Sequence, residues 1–421
     1  MIHAREGVRV ALAALALGMP AAAFAQGFDP VAATDAYLAT VSGAARARSD
    51  AYFEGGYWLI LWNALIGAGV IWALLHFGVV AKLSAWSGRV ARGRRAGRAL
   101  VFAWLFLLVD GVVTLPWALY TGWAREHQYG MSTQALAAWL GDWAKGMAIG
   151  TLIGGLAFLA LLTLYRTLPR TWWAWGTLVS GVFLFVGLLL GPVFIEPMFN
   201  RYTPMAASPL RAQILQMANA NGVPTDNVLV VDASRQTKRI SANVAGIGPT
   251  VRVALNDNLL NRTSPPEVRA VMGHELGHYV LDHTASLLTA FTLLAGLFLG
   301  ALHVGTPWLV ARFGGRWRIE GRDDPAMLAP AFIVAGLVGL VLTPVTNSII
   351  RFHESQADYF GINTSRAPDG WARIALKLGE YRKLEPSPLE EIIFFDHPSG
   401  RTRILMGMRW KAQHLGEPGV E

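Results

Sequence analysis

The sequence predicts a mainly α, polytopic helical membrane protein, with six spans behind an N-terminal signal-like segment, or seven spans, and a separate α+β lobe. Three observations carry this. Of 421 residues, 53% are hydrophobic and only 15% charged, with 16 tryptophans, a composition far from the usual soluble mixture. Six apolar segments have about the 20 residues a spanning helix needs. Two polar stretches flank the last pair of those segments and alternate or cap as folded soluble structure does. The chain has no cysteine, so disulfides, thiolate metal sites and a cysteine nucleophile are excluded; any transition-metal site must use His, Asp and Glu. The net charge of +8 sits in short loops between apolar runs, where it reports membrane orientation rather than a nucleic-acid partner.

The start, "MIHAREGVRVALAALALGMPAAAFAQG", places Arg5 and Arg9 before a short apolar core, Pro20 and the small-residue pattern Ala23-Phe24-Ala25. That pattern fits a secretory signal peptide over residues 1–25, with a mature chain from near Gln26; an uncleaved first span is the alternative. Residues 26–56 read as an extracytoplasmic N-terminal segment. A four-span region follows over 57–195, with spans at Tyr57 to Val80, Leu100 to Tyr120, Met147 to Tyr165 and Trp175 to Ile195. Composition then changes. Residues 196–284 carry "NVLVVDASRQTKRISANVAG" and the alternating "TVRVALND", which read as strands and turns and form the first part of the lobe. Residues 285–350 form a helical hairpin, with spans at Ala285 to Val304 and Ala329 to Ile350, and 351–421 complete the lobe.

Three loops on one side carry the fixed positive charge: Lys82 to Arg98, Arg166 with Arg170, and Arg312 to Arg322. The loop from Thr121 to Asp142 carries only Arg125 in the notation of fixed arginines. By the positive-inside rule the basic loops are cytoplasmic and the lobe extracytoplasmic, in a bacterial inner membrane.

Within the lobe, "AVMGHELGHYV" (270–280) follows Pro265-Pro266, which break the chain ahead of a helix starting at Glu267. On that helix His274 and His278 lie one turn apart and face the same way, so both imidazoles can close on one Zn2+ ion. Glu275 stays beside them as general base for a water, the zincin arrangement. Gly277 lets a backbone or a substrate come close. Glu354 in "NSIIRFHESQADYF" is the candidate third ligand, because the hairpin returns the chain to the membrane depth at which it left after His278; His353 is the rival. Asp358, one turn beyond Glu354, could orient a ligating histidine, or simply be a helix charge or surface ion pair. "DHPSGRTRI" offers His397, Arg401 and Arg403 for oxyanion stabilisation.

These residues, with "LPWALYTGWAREHQYG", "IEPMFNRYTP", "LNDNLL", "PPEVRAVMGHELGHYVLDH" and the "HP" before Arg403, resemble the type 1 CAAX prenyl proteases, integral-membrane zinc endopeptidases. The resemblance covers the chain from about residue 98. It implies a helical ring around a water-filled chamber capped by the protease lobe, one zinc per chain held by His274, His278 and Glu354, Glu275 as base, Asp358 behind the ligands, and His397 and Arg403 beside the substrate. Asn63, His76 and Asp110 would then line the chamber or pack between helices. Where that family has Ser-Asn-Ala before a substrate-holding edge strand, this chain has Ile240-Ser241-Ala242, with Asn243 displaced, so Ser241 and Asn243 are the substrate-binding candidates. The family's first span maps onto the signal-like segment, and the family's lobe faces the cytosol, opposite to the loop charges here. The expected function is hydrolysis of small, unfolded or membrane-associated peptides. The alternatives are a quality-control protease resembling the heat-shock membrane protease HtpX, and a non-catalytic zinc-binding membrane chaperone or transporter.

Overall fold

The computed structural model describes residues 27–246 and 251–420. The signal-like segment 1–25 lies outside them. In chain order the helices are α1 (Pro30–Ala39), α2 (Gly43–His76), α3 (Val79–Val90), α4 (Arg95–Leu119), α5 (Leu136–Thr167), α6 (Trp172–Leu190), α7 (Pro209–Ala220), α8 (Asp257–Arg262), α9 (Pro265–Val280), α10 (His283–Trp317), α11 (Leu328–Ser365), α12 (Pro368–Leu378), α13 (Pro388–Phe394) and α14 (Gly400–Gln413). Four strands are described: β1 (Tyr202–Pro204), β2 (Val228–Val231), β3 (Ala242–Ala245) and β4 (Arg252–Asn256). The chain divides into two compact units, one comprising Gly55–Phe199 and Leu287–Thr343, the other Asn200–Ser286, Pro344–Glu421 and the residues up to Glu54.

The first unit is helical. Among the described residues, six helices are long and apolar enough to cross a bilayer: Gly43–His76, Arg95–Gln128, Leu136–Thr167, Trp172–Met198, His283–Trp317 and Pro325–Ser365. They carry bare apolar side chains, such as Val182 at 60% exposure, Leu293 at 66% and Val341 at 74%. The first span differs from its expected bounds. It begins at Gly43 and stops at His76, because Gly78 takes a left-handed turn (φ 72°), so Val79 and Val80 start the short helix α3 instead. Small residues set the helix spacing: a Cβ on Gly111 would collide with the Met147 methyl, and one on Gly155 with the Trp104 indole, so α4 and α5 pack closely. Phe102 and Phe106, stacked with centroids 5.9 Å apart, head a core with Leu75, Val80, Trp317 and Ile333. Asn63 accepts a hydrogen bond from Trp117 Nε1 (2.7 Å) between α2 and α4, while His76 is exposed.

The second unit is the α+β lobe. Its sheet has the order β1-β2-β4-β3, with β2 and β4 parallel and the outer pairs antiparallel; β3 therefore ends the sheet, with Ala242 opposite Leu255 and Asn243 opposite Ala254. Val228, Val253 and Leu255 pack on Val268, Met272 and Ile362 of the helices. Helix α1 belongs to this lobe: Leu38 is buried with Ile404, Met408 and Leu384, and Tyr37 donates to Asp369 (2.8 Å). Burial, and then that bond, push the Tyr37 phenol up to about 12.

Candidate metal centre

Helix α9 starts at Pro265, two residues before the expected Glu267. Pro265 fills the first helical position, where its missing N–H costs nothing. Glu267 instead closes the helix end, accepting from the Ser264 N–H (2.7 Å) and hydroxyl (2.6 Å) and pairing with Lys377 (2.7 Å). One turn further, Gly273 and Gly277 leave the side of α9 bare of side chains. A Cβ on Gly273 would lie 2.6 Å from the Gly361 carbonyl oxygen, and one on Gly277 3.2 Å from the Ala357 Cα. The close neighbour that Gly277 admits is thus the backbone of α11, and this contact brings α9 against the stretch of α11 that holds Glu354 and Asp358.

The result is a cluster in which ligand atoms of His274, His278 and Glu354 lie within 4.8 Å of one another. His274 Nε2 is 3.1 Å from His278 Nε2 and 3.2 Å from Glu354 Oε2, and His278 Nε2 is 3.4 Å from Glu354 Oε1. Ligand atoms about 2.0–2.1 Å from a tetrahedral zinc ion stand about 3.3 Å apart, so the spacing fits the metal. Glu354 Oε2 is buried and takes no aligned hydrogen bond despite these neighbours, as expected of an oxygen aimed at a shared ion. His274 Nδ1 meets Asp358 Oδ1 at 2.8 Å; with the hydrogen on Nδ1, the Nε2 lone pair faces the cluster. Burial favours the neutral ring, yet Asp358 and Glu354 outweigh it and raise His274 to about 10, the direction their negative charge dictates.

Asp358 is fully buried and takes two hydrogen bonds from Arg403, Nε to Oδ2 at 2.7 Å and Nη2 to Oδ1. Arg403 is thus engaged behind the cluster, with Trp371 Nε1 donating to its carbonyl (3.0 Å). His397 Nε2 lies 3.0 Å from Glu354 Oε2, and its Nδ1 meets Asp396 at 2.7 Å. Arg401 points elsewhere, to Asp35 (2.8 Å) and Glu385 (2.9 Å). His353 is committed by Nδ1 to the Ile349 carbonyl (2.8 Å) and by Nε2 to Ser286 (2.8 Å).

A cavity of about 170 Å³ opens on the cluster, with His274, Glu275, His397 and Arg403 on one side and Ser241 with Ala242 on another. Burial pushes the Glu275 carboxyl up, with His274 and His278 pulling against it. Asn243 is not in the lining; its Oδ1 is buried. The cavity also holds Tyr381 and Arg382, which no motif announced; an Arg382 Nη2 lies 3.3 Å from His397 Nε2. The only sequence signal for this pair was its place just past Gly379, at the end of a strongly amphipathic helix.

Two family models, several relatives and a solved structure match the chain. Residues 34–201 match the family described as "CAAX prenyl protease N-terminal, five membrane helices", and residues 204–406 match peptidase family M48. The uncharacterized metalloprotease YhfN of Bacillus subtilis (strain 168) is 29% identical over 348 residues, 80% of each chain. CAAX prenyl protease 1 of Saccharomyces cerevisiae is 27% identical over 331 residues, 73% of this chain and 71% of that one. The crystal structure of S. mikatae Ste24p shares the fold, with a TM-score of 0.70 at 19% identity over 90% of this chain and 94% of that chain. With the two family matches adjoining in this order, the chain belongs to peptidase family M48 and is a multi-pass membrane metalloendopeptidase resembling the CAAX prenyl proteases.

Proposed function

We infer that His274, His278 and Glu354 hold one zinc ion and that Glu275 is the general base for peptide-bond hydrolysis beside it. The observation that carries this reading is the convergence of three ligand atoms within 4.8 Å, one of them on His274, which lines a cavity together with Glu275. When bound, zinc supplies a Lewis acid that polarises the scissile carbonyl and acidifies a water at neutral pH. Glu275 takes the proton of the attacking water and returns it to the leaving amine. His397, held at Nδ1 by Asp396 and with Nε2 3.0 Å from Glu354 Oε2, lines the cavity and is placed to stabilise the oxyanion. Arg403 acts through Asp358, whose carboxylate it holds against His274. Ser241 leads into the free edge of β3, where an extended substrate backbone pairs as an added strand, with Asn243 in that strand's register.

Small, unfolded or membrane-associated peptides fit this site. The loop charges favour an extracytoplasmic lobe in a bacterial inner membrane, where cytosolic prenylated tails would not reach, so peptide processing or quality control is the preferred role. The test measures zinc content and cleavage of an unstructured fluorogenic peptide by detergent-purified protein. Wild type binds about one zinc and cuts, while Glu275→Gln binds zinc and does not cut. Zinc binding with no cleavage of any of several peptides by wild type would favour the non-catalytic chaperone reading. Because the chain has no cysteine, sidedness follows from labelling single cysteines placed at Ala207 and Arg170 with an impermeant maleimide in intact cells.

A further inference from the structure

We propose that His283 and Gln356 position His278 for the metal, as a second hydrogen-bonded relay independent of Asp358. This rests on the ligand set proposed above. His283 is 2% exposed and is the first residue of α10. Asp282 before it takes a left-handed backbone (φ 60°), so the chain reverses between α9 and α10 and the His283 ring comes back against His278. Its Nδ1 then lies 3.0 Å from His278 Nδ1, and its Nε2 3.1 Å from Gln356 Oε1.

With Gln356 Oε1 toward His283, these two contacts set where the hydrogens sit. An amide oxygen only accepts, so the ring hydrogen of neutral His283 is on Nε2 and points to Gln356. Its Nδ1 is therefore bare and accepts from His278 Nδ1–H. That leaves the His278 Nε2 lone pair facing His274 Nε2 and Glu354 Oε1, where a metal needs it. The opposite setting, with the Gln356 amide reversed and His283 donating, would place a hydrogen on His278 Nε2 and close that atom to a metal. His353 does not compete for the relay, since both its nitrogens are engaged; its ring stands edge-on to His283 at 4.9 Å and 90° and supports it.

The relays differ in kind. His274 is backed by the charged pair Asp358 and Arg403, His278 by two neutral groups. The neutral relay supplies orientation and tautomer with no added charge, and it joins α9, through the ligand itself, to the start of α10 and so to α11.

The experiment uses the full chain in detergent and reads three quantities: zinc affinity by chelator competition, the visible spectrum of the cobalt(II)-loaded protein, and the melting temperature without metal. His283→Leu weakens zinc binding by about 10- to 100-fold, the usual cost of losing a hydrogen-bond partner behind a ligand, and shifts the cobalt bands. His283→Asn, whose Oδ1 can accept from His278 in place of Nδ1, recovers both. Gln356→Leu, on a half-buried position of α11, moves zinc affinity in the same direction and keeps the measurement available if His283→Leu fails to fold. The proposal is overturned if the leucine variants bind zinc as tightly as wild type with unchanged cobalt spectra, or if His283→Asn behaves as His283→Leu does. A failure of the ligand set itself looks different: wild type takes up no zinc, or His274→Ala binds it as well as wild type.

Discussion

Gly361 of α11 meets His274 of α9 backbone to backbone: a Cβ on Gly361 would lie 2.7 Å from the His274 nitrogen. No side chain separates the helices there, so the spacing between the histidine pair and Glu354 is set by the absence of a methyl group. Gly361→Ala is expected to cost about 1–3 kcal/mol of stability, as overpacking does, and to lower zinc retention. Gly187→Ala, at a helical position with nothing within 4 Å, is the control and should not lower either. Thermal melts and metal analysis of the two variants side by side decide the matter.

Removing the third ligand should be distinguishable from removing its neighbour. Glu354→Gln is expected to lose bound zinc, whereas His353→Ala keeps it, because His353 is occupied by Ser286 and Ile349. Metal stoichiometry after dialysis reads both; retention by Glu354→Gln together with loss in His353→Ala would exchange their roles.

Asp358→Asn leaves the buried Arg403 guanidinium without its anionic partner and His274 without a charged acceptor. The first effect should destabilise the protein by about 3–5 kcal/mol. The second should weaken zinc binding by about 10- to 100-fold. Denaturation without metal measures the first, and chelator competition the second.

Acid should loosen the start of α9. Burial alone would raise the Glu267 carboxyl, but Lys377 and Ser264 together hold it below its ordinary 4.5. A carboxylate depressed in the folded state adds stability that is fully present above its unfolded value and is lost as pH falls through the folded one. Wild type should therefore lose stability progressively below about pH 4.5. Glu267→Gln should be less stable at pH 7 by about 0.5–2 kcal/mol, with the gap to wild type closing in acid. A gap that stays constant from pH 7 to pH 3 would show that the charge is not what holds the cap.

Leu38→Ala is expected to cost about 2–5 kcal/mol, because Leu38 is buried against Ile404, Met408 and Leu384. Equilibrium unfolding checks it; an effect below about 0.5 kcal/mol would mean that α1 detaches before the lobe unfolds.

What the sequence made legible follows from range. The pair His274 and His278 is a local, helical-period feature, and Glu354 became readable once the hairpin was seen, because the return of the chain fixes depth. The start of α2 was hidden by Arg46, Arg48, Asp50 and Glu54, which hydropathy scores as too polar for a span. They are tolerated because Arg46 pairs with Asp50 (3.3 Å) and Glu385 (3.0 Å) and Glu54 with Lys383 (2.7 Å). Helix α1 and the cavity residues Tyr381 and Arg382 depend on partners distant in sequence, and no period or motif records those. Arg403 read as a residue facing substrate; it lines the cavity and also gives Nε and Nη2 to Asp358, a pairing that no local pattern records.

The proposed ligands come from either side of a hairpin whose two helices, α10 and α11, each have the length and apolar character of a membrane span. A chain still being made has His274 and His278 before it has Glu354. Its metal set is incomplete, and so is its chemistry. On that reading the full set of proposed ligands exists only once the chain has been made through α11.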